Sequence, residues 1–183
     1  ISFNEHGAGY GVIGFRDALA YSSNTFFYQV GMAAGPEQMA KWAKKMGIGG
    51  TINLELLGLD GANHGQVPIP AEKRKMYGED WYVGDTVTMS IGQGLVLCTP
   101  LELAVMVSTV ANGGSRVQPH LLASQTNQPI TQKIKTGINP ETLKIVRQGL
   151  IDVVLKGTGR GMNDGTIPLS AGKTGTVEMP GHP

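Results

Sequence analysis

Glycine constrains this chain most: 27 of its 183 residues are glycine, about twice the average usage, and they are spread along it without a period. The pattern is that of a chain that turns often and brings backbones close together, not of collagen or a flexible linker. The length allows one domain with a real core. A net charge of +1 with only 16% charged residues argues against both disorder and an electrostatic nucleic-acid binder, so no nucleic-acid partner is expected. No apolar run approaches the roughly 20 residues that cross a bilayer, so no membrane segment is expected within the chain. The single cysteine, Cys98, excludes an internal disulfide and a multi-thiolate metal site. Its apolar neighbours Leu95, Val96 and Leu97 predict a small core residue.

Helix signals are clear in four places. Residues 16–32 carry apolar positions at spacings of three, four and seven, broken by the polar run Tyr21-Ser22-Ser23-Asn24-Thr25, which predicts a helix interrupted by a turn. Pro36 opens a second helix with Met39, Trp42, Ala43 and Met46 facing the core and lysines 41, 44 and 45 solvated, and Gly47 stops it. Thr99-Pro100-Leu101-Glu102 is a capping box, and that helix ends at Asn112-Gly113-Gly114. A last helix starts near Asn139-Pro140-Glu141 and ends at Gly157. Residues 48–84 read as loops and short strands, 115–124 and 130–135 as strands or a hairpin, and 166–178 as an extended segment. Helices with a few strands and no βαβ repeat indicate an α+β fold with an antiparallel sheet.

Gly172-Lys173-Thr174 is not the end of a phosphate-binding loop: Ile167 stands where the first glycine belongs, Pro168 interrupts, and no helix signal follows. Gly157-Thr158-Gly159-Arg160-Gly161 follows a helix and precedes none, so it is a poor nucleotide fingerprint as well. Neither His6, His64, His120 nor His182 has the spacing of a metal site, and His120 reads as a strand start. No metal or cofactor is expected. Lys173-Thr174-Gly175-Thr176 reads as an edge strand facing a cleft, where lysine supplies charge, threonine hydroxyls hold a carboxylate and glycine admits a substrate backbone. Ser22-Ser23-Asn24 sets a hydroxyl and a carboxamide two residues apart, a pair able to pass a proton and hold a peptide amide.

Three blocks together resemble the transpeptidase domain of the class B, elongation-type penicillin-binding proteins. They are 18–28 around Ser22-Ser23-Asn24, then Gly84-Asp85-Thr86 with Ile91-Gly92-Gln93-Gly94 and the Thr99 box through Gly114, and 171–176 around Lys173-Thr174-Gly175. The resemblance implies the penicillin-binding/β-lactamase-like fold and serine acyl transfer on the D-alanyl-D-alanine end of a peptidoglycan stem peptide, with β-lactams as acylating mimics. By motif position, Ser22 would relay a proton to the leaving nitrogen, Asn24 would bind the substrate amide, and Lys173 with the Thr174 and Thr176 hydroxyls would hold the carboxylate. Gly175 would admit the substrate. The Thr176 N–H would be an oxyanion donor, a contact whose loss costs about 2.7–4 kcal/mol of transition-state stabilisation. Gly92-Gln93-Gly94 would shape or support the cleft. Cell-wall elongation proteins would be partners, at the outer face of a bacterial inner membrane.

The family's nucleophile lies on a Ser-x-x-Lys helix well before Ser-x-Asn. The only serine preceding Ser22 here, Ser2, is followed by Phe3-Asn4-Glu5, and Ser170-Ala171-Gly172-Lys173 is a decoy sharing its lysine with the other motif. Residues 1–183 are therefore expected to be the central portion of one transpeptidase domain, incomplete at both ends and inactive alone, its parent anchored by an upstream transmembrane helix. A serine β-lactamase relative and a noncatalytic β-lactam-sensing homologue are the alternatives.

Overall fold

The computed structural model describes residues 9–176, which leaves Ser2, His6 and His182 outside. The chain divides into two compact units, one formed by 1–30 with 139–183 and the other by the continuous stretch 31–138.

In unit one, α1 (Phe15–Ala20) packs against α7 (Pro140–Leu155). Helix α7 begins at Asn139, whose side chain accepts the Glu141 N–H at 2.8 Å, with Pro140 in the first turn. The helix contact is made by small residues: Ala18 and Ala20 are fully buried, and a Cβ on Gly149 would stand 2.6 Å from Leu19 Cδ1. Two ion pairs flank it, Arg16 to Asp152 at 2.8 Å and Lys156 to Asp17 at 2.7 Å. The interruption expected at residues 21–23 is present, and α2 (Asn24–Ala34) restarts the helix.

Unit two holds α3 (Pro36–Met46), α4 (Pro70–Tyr77), α5 (Val83–Met89), α6 (Pro100–Ala111) and an antiparallel pair, β1 (Ser115–Arg116) with β2 (Ile134–Lys135). Gly47, at φ +106°, closes α3: its N–H reaches Lys44 O at 3.2 Å, and the Ile48 N–H reaches Ala43 O at 3.0 Å. This is a Schellman closure, with Ile48 turned into the core beside Ala43. Ala40, Ile48, Val67 and Met89 form that core with Met39, Trp81, Val96 and Met106 against it.

Several expectations are corrected. The stretch 48–84 contains helix α4, and α5 begins within it. Ile69 N donates to Glu72 at 2.9 Å and Tyr82 N to Asp85 at 2.7 Å, so each helix starts on a carboxylate three residues in. Their apolar faces are too narrow to show a period. Trp42 is exposed at the rim, with Lys45 Nζ 4.5 Å from its ring, and does not join the core. Cys98 is also exposed, because the Gln66–Leu97 bridge and the cap of α6 hold this segment at the surface. The hairpin closes over two residues a side, and His120 starts no strand but meets Thr126 Oγ1 at 3.1 Å. No strand is assigned over 166–176: the Gly172 N–H goes to Leu150 O of α7 rather than to a neighbouring strand. Among the described residues no helix is long and apolar enough to cross a membrane.

Candidate active site

Unit one brings together two sequence motifs that lie 151 positions apart, with Lys173 Nζ donating to Ser22 Oγ. Ser22 sits in the turn after α1, which Tyr21 N to Asp17 O at 2.9 Å and Ser23 N to Ala18 O at 3.0 Å close. That turn puts Ser22 at φ +51°, a region that costs an L-residue about 1–2 kcal/mol, and the surroundings hold it there. Ser23 is buried, its Oγ 3.4 Å from Thr25 Oγ1, while Asn24 is exposed as the first residue of α2. Packing thus alternates along the motif: Ser23 anchors, and Asn24 faces solvent.

The opposing segment is organised by α7. Gly172 N to Leu150 O at 3.1 Å ties it to that helix, and Thr174 Oγ1 lies 2.6 Å from Thr158 Oγ1 in the turn after it. Lys173 Nζ also donates to Thr174 O at 2.9 Å. Although Lys173 as a residue stays exposed, partial burial of its ammonium end lowers its pKa from the ordinary lysine value. Lysine and serine so joined can pass a proton along one hydrogen bond, and the charge beside Thr174 can hold an anion. Gly175 and Thr176 continue the segment, both exposed.

Ser170 of the decoy motif has a buried Oγ without a hydrogen-bond partner and takes no part in the Ser22–Lys173 pair. Gly92 and Gly94, at φ +74° and +69°, make a turn in unit two, with Gln93 N on Thr88 O at 2.9 Å. Asp85 takes Lys73 of α4 at 2.9 Å, joining α4 to α5, and Thr86 takes the indole N–H of Trp81, just ahead of α5, at 2.8 Å. Among the described residues no group of three metal-ligating side chains gathers. The residue that sequence reasoning missed is Thr158; its signal was the Gly-Thr-Gly run directly behind a helix end.

The family model for the penicillin binding protein transpeptidase domain matches residues 2–181. Peptidoglycan D,D-transpeptidase MrdA of Acinetobacter baumannii is 34% identical over 178 residues, covering 93% of this chain and 26% of the relative. Among solved structures, Pseudomonas aeruginosa PBP2 in complex with WCK 5153 aligns at TM-score 0.80 and 28% identity, over 95% of this chain and 40% of that one. The Helicobacter pylori complex of PBP2 with MreC aligns at TM-score 0.76 and 26% identity, over 97% and 32%. The chain therefore spans about a quarter of the length of the curated relative it matches.

Proposed function

This chain belongs to the penicillin binding protein transpeptidase domain family, and from that premise we propose that it is the central part of a serine D,D-transpeptidase that cross-links peptidoglycan and is acylated by β-lactams. The observation that carries the reading is the Lys173–Ser22 hydrogen bond between the two motifs. A serine on a Ser-x-x-Lys helix, outside this chain, attacks the carbonyl of the penultimate D-alanine, passing its proton to the lysine of that motif and forming an ester that the amine of a second stem peptide then displaces. The C–N bond breaks, and Ser22 delivers the proton that the leaving nitrogen needs. Lys173 keeps Ser22 polarised and, with the Thr174 and Thr176 hydroxyls, receives the terminal carboxylate. Asn24 holds the peptide amide, Gly175 leaves room for the substrate backbone, and the Thr176 N–H faces the developing oxyanion.

The protein would work at the outer face of the inner membrane, held by a transmembrane helix ahead of this chain. Partners of the elongation machinery fit the same reading, which is supported by the similarity to a PBP2 solved with MreC.

Fluorescent penicillin labelling tests the proposal. The full-length protein should label covalently, Ser22→Ala should slow labelling by about 10²–10⁴-fold, the usual worth of a positioned proton relay, and residues 1–183 alone should not label. Labelling of the isolated chain would place a nucleophile within it and overturn the assignment.

A further inference from the structure

We infer that Thr158 is a positioning residue that keeps the Thr174 hydroxyl proton free for the substrate carboxylate; this rests on the role proposed for Thr174 above. Thr158 follows the end of α7, where Gly157 N bonds back to Asp152 O at 3.0 Å and Gly159 N to Val153 O at 3.0 Å. Its own N–H donates to Ala20 O at 3.0 Å, two residues before Ser22. Its Oγ1 meets Thr174 Oγ1 at 2.6 Å. One residue thus ties the end of α1 to the segment carrying Lys173 and Thr174.

The hydroxyl pair has a direction. Each hydroxyl owns one proton and two lone pairs, and a single proton lies between the two oxygens. If Thr174 donates to Thr158, it turns lone pairs toward an arriving carboxylate, which only accepts. If Thr158 donates, Thr174 keeps its proton for the carboxylate, and the donated bond polarises it further. A bound carboxylate selects the second arrangement. Thr158 suits the task because its backbone is fixed at Ala20 and its β-branched side chain has little rotamer freedom.

The test uses the full-length protein and two acylating agents, a β-lactam with its free carboxylate and the methyl ester of the same compound. The ratio of their second-order acylation rates measures carboxylate recognition and is insensitive to a general loss of activity. Thr174→Val should lower the ratio, Thr158→Val should lower it by about 2- to 12-fold, the range of one net hydrogen bond, and Thr158→Ser should restore it. The double variant should lower it no further than Thr174→Val alone. An unchanged ratio in Thr174→Val would refute the role of Thr174 itself. A lowered ratio there with a wild-type ratio in Thr158→Val, or an additive double variant, would overturn the inference about Thr158. Should Thr158→Val fail to fold, Thr158→Ala removes the same hydroxyl without the branched volume and is read in the same way.

Discussion

Replacing Glu102 by glutamine should cost unit two a large part of its stability, although the substitution leaves size and shape almost unchanged. Glu102 is 1% exposed, and its two oxygens accept four backbone N–H groups from three separate segments. Oε1 takes Gly49 at 3.1 Å and Gly50 at 3.0 Å; Oε2 takes Gly65 at 3.0 Å and Thr99 at 2.9 Å. A carboxamide has one acceptor oxygen, so whichever way it turns, its NH₂ faces two N–H donors. These bonds are part-buried, so two donors left without an acceptor cost at most about 1–3 kcal/mol each, or at most about 2–6 kcal/mol together. That compares with the 5–15 kcal/mol that typically holds a domain folded.

Both tryptophans, Trp42 and Trp81, lie in unit two, so their fluorescence during urea unfolding reports this unit. The midpoint should fall with an unchanged slope, and the Gly49, Gly50 and Gly65 amides should lose hydrogen-exchange protection. A loss below about 1 kcal/mol, less than one orphaned donor costs, with those amides still protected, would refute the argument.

The same carboxylate fixes an acid response. Burial pushes the Glu102 pKa up, but the N–H donors of Gly50, Thr99, Gly65 and Gly49 outweigh it and leave the pKa lowered. A depressed carboxylate stabilises fully above its unfolded value, about 4.3, and that stabilisation disappears as pH falls through the folded value. Wild-type unit two should therefore weaken below that pH, and Glu102→Gln should lack this part of the response.

Three further outcomes are expected. Gly157→Ala should lower the thermal midpoint of unit one, since its methyl would overlap the Ala20 carbonyl oxygen that accepts the Thr158 N–H; overpacking of this kind costs about 1–3 kcal/mol, and an unchanged midpoint by circular dichroism would contradict the contact. Ser22→Gly should be more stable than Ser22→Val by about 1–2 kcal/mol, because both lose the hydroxyl but only glycine escapes the cost of φ +51°; equal urea midpoints for the two by circular dichroism would remove the strain argument. Lys73 is 5% exposed and bonds Asp85 at 2.9 Å and Glu79 at 3.5 Å, so Lys73→Ala should lower the tryptophan-monitored urea midpoint, and no change would mean that the charges stay hydrated.

Legibility followed the range of the interactions. The Thr99 box, the Asn139 cap and the Gly47 stop depend on neighbours within about one helical turn, so the sequence shows them directly. Glu102 shows the limit within one residue: its bond to Thr99 N is readable at three positions' distance, while Gly49, Gly50 and Gly65 come from far away and leave no local mark. Helix α4 was hidden because Glu72, Lys73, Arg74 and Lys75 supply charge where a period needs apolar residues, and Lys73 is buried by pairing rather than by hydrophobicity. Trp42 and Cys98 were misplaced because residue type sets an average burial while tertiary placement sets the actual one. The Lys173 segment reads from its residues as an edge strand and the structure gives it none, since a ladder needs a partner that composition does not reveal. Its nearness to Ser22 follows from the paired motifs, whereas the Gly-Thr-Gly run at 157–159 marks Thr158 without saying what it joins.

The clamp between α1 and α7 carries a consequence for how the protein is made. Arg16, Asp17 and Ala20 are held by Asp152, Lys156 and Thr158, more than 130 residues later in the chain. During synthesis, α1 leaves the ribosome long before α7, with the whole of 31–138 emerging between them. The turn bearing Ser22 therefore acquires its α7 contacts late, after a loop closure of more than 130 residues, and substitutions at that clamp should slow maturation.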